Sequence, residues 1–449
     1  MKLSVVGLGK LGAPLAAVLA SKGFEVTGTD LNSAFVDAIN AGLAPVDEPG
    51  LQALIDAHRS RLRATPDVAE AVAATDVTFV IVPTPSDSSG RFSNAYILSA
   101  LQGIGAGLRR KSSYHVVVIT STVMPGSTGG EIRAALEQHS GRIVGPDLGL
   151  CYNPEFIALG TVVRDMLNPD MLLIGESDEK AGDALEHIYI RSCDNTPVVR
   201  RMNFVNAELA KIAVNTFVTT KISYANMLAD ICDRLPAADA EVVTRAIGCD
   251  TRIGQKYLRG AIGYGGPCFP RDNVAFAALA RQLGARAELA EATDSINRYQ
   301  IERVVGAVQA RFTGGAIGVL GLAYKPDTPV VDQSQGVMLV DRLLEEGHRV
   351  IAYDPKAVPA AQGAVRRPFE AASSAAECVA EASLVVIMTP WPEFKDIPAG
   401  AFAREGRRIA VVDCWRVMSK ESIGEVADLV YLGQGAWHTA SIPARRGTF

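Results

Sequence analysis

Between Met202 and Leu235 the chain contains neither glycine nor proline, and apolar residues recur along it at helical spacing. No other feature narrows the fold as much. The spacing predicts one long helix, stopped by Pro236. The flanking sequence has a different rhythm. On the N-terminal side "LSVVG", "FEVTGTD", "VTFVIV", "HVVVIT", "GRIVG" and "MLLIG" are short, β-branched runs separated by helical stretches. From about Gly315 the alternation returns in "AIGVLGL", "RVIAYDP", "LVVIMTP", "RIAVVDC" and "LVYLG". Runs that are apolar at nearly every position suit strands buried on both faces. Strands alternating with helices imply parallel sheets with crossover connections. The expected class is therefore α/β, with two doubly wound parallel-sheet domains joined by a long central helix and a small helical domain. The expected boundaries are 1–200, 201–312 and 313–449. A length of 449 residues is too great for one core and suits such a division.

Charge and cysteine usage exclude several functions. The formal net charge is −5 and no run of lysine and arginine builds a local patch, so a nucleic-acid partner is not expected. No segment supplies the roughly 20 apolar residues that cross a bilayer, so no membrane partner is expected either. The apolar stretch after Lys2 has the look of a secretion signal, but Lys10 interrupts it and its glycines have another use. The chain holds 7 cysteines, at 151, 193, 232, 249, 268, 378 and 414, with no paired spacing. That pattern gives no zinc site and no disulfide framework, and it fits a reducing cytoplasm.

The glycines lie in "GLGKLG", where Gly7, Leu8, Gly9, Lys10, Leu11 and Gly12 fill the GxGxxG spacing between a strand and an Ala-rich helix. In that context Gly7 permits a tight turn, Gly9 lets backbone approach a pyrophosphate, and Gly12 lets helix and strand pack closely. Asp30 ends the next strand, where a carboxylate accepts hydrogen bonds from a ribose and repels a 2′-phosphate. Both sheets are thus read as Rossmann-like, and the expected cofactor is NAD. A glycine-rich turn with no ligand is the alternative.

"GYGGPCFPRD" at 263–272 places Cys268 between Pro267 and Pro270, after three glycines in four residues. The cysteine has three readings: a buried structural thiol, a redox sensor, or a nucleophile. A Gly- and Pro-rich loop is poor core and a good place for backbone to meet a ligand, which favours the nucleophile. Lys211 and Asn215 are an i,i+4 pair on the long helix, with Asn226 near the same face. Such a pair alone is ordinarily solvated surface.

Taken together, "NPEF" at 153–156, "AELAKIAVNTF" at 207–217, "DTRIG" at 250–254, the cysteine loop, "GLAYKPDT" at 321–328 and "WPEF" at 391–394 resemble the UDP-glucose/GDP-mannose dehydrogenase family through nearly the whole chain. The resemblance implies oxidation of a sugar-nucleotide C6 alcohol to a carboxylate in two NAD-dependent steps. Cys268 would hold the intermediate as a thiohemiacetal and then a thioester. Lys211 and Asn215 would stabilise the oxyanion, Asp272 and Thr122 would handle a water, and Glu155 would be the base for hydrolysis. Thr84, Pro85, Ser121 and Thr122 would contact the cofactor. Phe156, Arg252, Tyr257, Leu258, Tyr264, Gly265, Tyr324 and Lys325 would join Glu155, Lys211 and Asn215 around the substrate. The resemblance also implies a homodimer through the central helix, with Arg252 reaching the neighbouring subunit's substrate.

Two positions depart from the family pattern. Leu159 stands where relatives carry a second glutamate, and Asp332 of "TPVVDQS" stands where they carry an arginine. Both changes fall on family cofactor contacts. Phe269 resembles the UDP-glucose branch more than the GDP-mannose branch. Alternative readings are oxidation of GDP-mannose or a UDP-N-acetylhexosamine, a two-electron β-hydroxyacid dehydrogenase, and a non-catalytic NAD or nucleotide-sugar binder.

Overall fold

A computed structural model describes residues 1–435, so the final segment of the expected third domain, 436–449, lies outside the described residues. The chain divides into two compact units, one spanning Met1–Val214 and the other running from Asn215 onward.

The first unit is built on a sheet of strands Lys2–Val6 (β1), Glu25–Thr29 (β2), Leu62–Thr65 (β3), Val77–Val80 (β4), Val116–Ile119 (β5), Gly149–Tyr152 (β6), Met171–Glu176 (β7) and Val198–Met202 (β8). Their order is β3-β2-β1-β4-β5-β6-β7-β8. The order reverses between β1 and β4, and ligands of open α/β sheets bind in the crevice beyond the strand ends at such a reversal. The helix Gly12–Ser21 follows β1 and is buried from Gly12 to Ala20.

The sheet is not wholly parallel. β6 pairs antiparallel with β7, and β7 pairs parallel with β8, so the last two strands run against the rest. "GRIVG" is not a strand. Gly141 and Gly145 both have positive φ, 68° and 113°, which turns the chain through it. The strand at that point is β6, "GLCY". β8, "VVRRM", shows no apolar run because it is the sheet edge, where charge blunts further pairing. Its Arg201 is held by Glu176 at 2.7 Å and by Glu186 at 3.1 Å.

The long helix spans Phe204–Arg234, two residues inside the expected start and one inside the expected end. Asn203 opens it by accepting the Asn206 N–H at its side-chain oxygen.

In the second unit, Ala316–Leu320 (β9), Arg349–Tyr353 (β10), Glu370–Ala371 (β11), Leu384–Ile387 (β12), Ile409–Asp413 (β13) and Ala427–Tyr431 (β14) form a sheet of order β11-β10-β9-β12-β13-β14. Every pairing in it is parallel. Its core includes Val319, Leu339, Leu343, Val385 and Phe394, all fully buried.

The two sheets repeat one turn. The Gly7 N–H donates to Thr29 and the Gly321 N–H to Tyr353, each at 2.8 Å. A Cβ on Gly12 would lie 1.8 Å from the Gly7 carbonyl oxygen, and one on Gly336 would lie 2.3 Å from that of Gly321. The second turn also carries an acid, Asp354. It accepts from the N–H groups of Leu322, Ala323, Lys356 and Ala357 and from Trp391 Nε1.

Asp233, at the end of the long helix, and Arg303, on the helix Glu288–Gln309, form a buried ion pair at 2.6 Å, with side chains 0% and 2% exposed. Arg303→Met should remove the guanidinium from the buried carboxylate, costing about 3–5 kcal/mol of unfolding free energy. Urea unfolding of the variant measures this, and unchanged stability would show that the pair has no such weight.

Candidate active site

The first unit holds a cradle at the β1–β4 reversal. Gly7 has φ 98°, and a Cβ there would sit 2.1 Å from the Ile81 carbonyl oxygen. At Gly9 a Cβ would meet nothing within 4 Å. The turn is therefore tight at Gly7 and Gly12 and open at Gly9, which is the profile a pyrophosphate requires. Leu8 is fully buried, so only its backbone is available to a ligand, while Lys10 is exposed. Leu11 caps the helix that follows. Asp30 Oδ2 accepts the Leu8 N–H at 2.6 Å and Oδ1 accepts the Asn32 N–H at 2.8 Å. A carboxylate has about four acceptor positions, so Asp30 keeps capacity for a ribose. These residues fit an NAD adenosine and pyrophosphate.

The neighbouring strand ends are tied to each other. The Thr84 hydroxyl donates to the Thr122 carbonyl at 2.8 Å. Ser121 accepts the Val82 N–H at 2.9 Å and donates to the Val82 carbonyl at 2.7 Å. The Pro85 carbonyl accepts the Ser93 N–H. Glu208, whose partners lie 82 and 80 residues away and leave no local signature, accepts from the N–H groups of Gly126 and Thr128, just beyond Thr122.

Further along the first unit, Lys211 is buried rather than solvated. Its Nζ donates to the Glu155 carbonyl at 2.6 Å and lies 4.7 Å from the centre of the Phe156 ring. Burial pushes the Glu155 carboxyl up to about 7, opposed by the Lys211 charge and by a hydrogen bond from Tyr189. The Tyr189 hydroxyl reaches both Glu155 and Asn153. A carboxyl poised near neutrality suits proton transfer. Leu159 packs against the first unit's core. Beside it, buried Glu48 accepts the N–H groups of Gly160 at 2.9 Å and Val162 at 2.7 Å.

In the second unit Cys268 is exposed and caps the helix Phe269–Gln282. A helix N-terminus presents free N–H groups and favours negative charge. In the first turn Asp272 is buried, and Asn215 Nδ2 donates to its Oδ2 at 2.6 Å. Arg271 Nε stands 3.7 Å from Asp272 Oδ1. Asn215 is itself buried, four residues after Lys211 on the long helix.

The loop glycines pack against the protein's own chain. A Cβ on Gly265 would lie 2.4 Å from the Gln333 carbonyl oxygen, and one on Gly266 (φ 86°) would lie 2.6 Å from the Tyr324 ring. The close approach they permit is made by the protein's own chain. The Gly266 N–H also donates to the Asp332 carbonyl at 2.8 Å, so the departing residue Asp332 holds the loop through its backbone. Tyr264 is buried, and Phe269 stands edge-on to both Tyr257 and Tyr264, with centroids 6.2 and 6.3 Å away. Leu258 is buried, Tyr324 and Lys325 are half-buried, and Tyr257 is exposed with φ 62°. Arg252 is exposed and pairs with Asp250 at 2.6 Å.

Three family models match the chain. They describe the NAD binding domain (1–192), central domain (205–299) and UDP binding domain (318–420) of the UDP-glucose/GDP-mannose dehydrogenase family. The UDP-glucose 6-dehydrogenase AglM of Haloferax volcanii is 38% identical over 403 residues, covering 88% of this chain and 92% of that protein. The GDP-mannose 6-dehydrogenase of Pseudomonas putida is 34% identical over 359 residues, covering 79% and 81%. The UDP-glucose dehydrogenase structure from Pyrobaculum islandicum superposes with a TM-score of 0.86 at 33% identity, covering 97% of each chain.

Asp30→Ala should weaken NAD binding about tenfold or more, the equivalent of roughly 1.4 kcal/mol. Calorimetric titration of NAD measures this, and unchanged affinity would remove Asp30 from the cofactor site.

Proposed function

This chain belongs to the UDP-glucose/GDP-mannose dehydrogenase family, and from that premise we propose that it oxidises the C6 alcohol of UDP-glucose to UDP-glucuronate. It is an NAD-dependent oxidoreductase. The observation that carries the substrate and mechanism is the exposed Cys268 at a helix N-terminus, with the buried Asn215–Asp272 pair in the turn that follows.

NAD, when bound, supplies the hydride acceptor, one molecule for each of the two oxidations. The first removes a hydride and a proton from the alcohol and leaves an aldehyde. The Cys268 thiol adds across the aldehyde carbonyl, giving a thiohemiacetal. Loss of a second hydride and a proton leaves a thioester, and water releases the carboxylate and restores the thiol. Lys211 and Asn215 bring an ammonium and an amide to the oxygen that gains negative charge. Asp272 and Thr122 orient the water, and Glu155 takes its proton during hydrolysis. Tyr264, Gly265, Tyr324 and Lys325 form the substrate side, and Phe269 favours UDP-glucose over GDP-mannose.

We assign 1–200 to NAD, 201–312 to the helical centre and 313–449 to the sugar nucleotide. The active form is a homodimer. Phe217, Tyr224, Met227 and Ile231 expose an apolar stripe on the long helix, and three of them fall at sevenfold spacing, as along a helix seam. Arg252 then reaches the partner's substrate. The free state of every cysteine supports a reducing, cytoplasmic setting.

With UDP-glucose the enzyme should yield two NADH per sugar. Cys268→Ala should form no uronate while still binding UDP-glucose. One NADH per sugar from the unsubstituted enzyme, or uronate formation by the variant at an unaltered rate, would refute the covalent route. Because the Glu155 carboxyl sits near 7, its basic form prevails above that pH. Turnover should therefore rise with pH through about 7, and Glu155→Gln should lose that limb along with most of its rate. A pH profile identical in both enzymes would assign the base elsewhere.

A further inference from the structure

The chain enters the cysteine loop through Ala261–Tyr264, which lies in neither helix nor strand, although all four residues are buried. Buried backbone polar groups need partners. Two asparagines supply them. Asn226, on the long helix, accepts the Ala261 N–H at 2.9 Å and donates through Nδ2 to the Ile262 carbonyl at 2.9 Å. Asn297, on the helix Glu288–Gln309, accepts the Tyr264 N–H at 2.7 Å and donates through Nδ2 to the Tyr264 carbonyl at 3.0 Å. A side-chain amide carries the same donor and acceptor as a peptide, so each asparagine does for the loop what a neighbouring strand would do. Both are buried, Asn226 at 0% exposure and Asn297 at 6%.

The fit is close. A Cβ on Gly263 would come within 2.8 Å of the Asn297 side-chain oxygen, so this glycine is what lets the amide reach the backbone. Past Tyr264 there is little slack before the thiol. Gly265 and Gly266 lie against Gln333 and Tyr324, and Pro267 fixes its own φ.

We propose that Asn226 and Asn297 are positioning residues that together fix Cys268 where it meets the aldehyde. The proposal rests on the two-step oxidation above. The first oxidation does not use the thiol and the second does, so loosening the clamp separates the two.

The test compares the full-length enzyme with Asn297→Ala and Asn226→Ala, using Asn→Ser at either position if the alanine variant does not fold. Amide hydrogen exchange is followed by mass spectrometry without substrate. NADH yield per UDP-glucose is measured with semicarbazide present to trap free aldehyde. In each variant, exchange across 261–268 should quicken about tenfold or more while peptides from β9 and β12 keep their protection. NADH yield should fall from two towards one, with aldehyde trapped. Unchanged exchange in the loop, or a yield that stays at two with kcat within about twofold of the parent, would overturn the proposal. If the unsubstituted enzyme reduces no NAD with any nucleotide sugar, the proposed reaction fails separately. The exchange measurement then decides the clamp: quickening confined to the loop supports it, and unchanged or global exchange overturns it.

Discussion

Asp233 and Arg303, closed off from water, join the working parts of the second unit. Burying two ions costs several kcal/mol each unless their remaining donors and acceptors are also used. Here they are. Asp233 accepts the Gly433 N–H, and Arg303 donates to the Ala261 carbonyl and to Gln300. One pair thus gathers the end of the long helix, the chain just past β14 and the first residue of the cysteine loop. Everything after Ala261 inherits that anchor: the two asparagines, the glycines that fit against Gln333 and Tyr324, and the helix that begins at the thiol.

The first unit solves a related problem with single buried acids. Glu48 and Glu208 each hold two backbone N–H groups, one pair beside Leu159 and the other beyond Thr122. Loops at the strand ends lack a ladder, and a carboxylate with four acceptor positions can replace part of one. Burial pushes the Glu208 carboxyl upward, and the N–H groups pull it back. Rigidity at the strand ends therefore comes from a few charged side chains and not from apolar packing alone.

The sequence was legible where a residue's role follows from its own neighbours. Pro236 stops a helix whatever surrounds it, and Gly7, Gly9 and Gly12 take meaning from the strand and helix that flank them. It was not legible where the role belongs to a distant partner. "GRIVG" has the composition of a strand, yet glycines at both ends turn it, and the less apolar "GLCY" takes the place in the sheet. "VVRRM" hides an edge strand because its arginine answers acids at 176, 183 and 186. Lys211 and Asn215 have the look of surface until the Glu155 carbonyl and Asp272 are seen beside them. Asn297 has no local signature at all, since its partner is Tyr264, and the internal neighbours of the loop glycines lie far off in the sequence.

The two turns, Gly7 to Asp30 and Gly321 to Asp354, share a shape but use their acids differently. Asp354 receives five donors, which exhausts a carboxylate, whereas Asp30 receives two. The open place at Gly9 has become Ala323, whose methyl is buried. The acid that could greet a ribose in one half has been converted to internal bracing in the other. Among the described residues, the turn that pairs an open glycine with a carboxylate of spare acceptor capacity is therefore the one in the first unit, and saturation of a single aspartate is what sets the two turns apart.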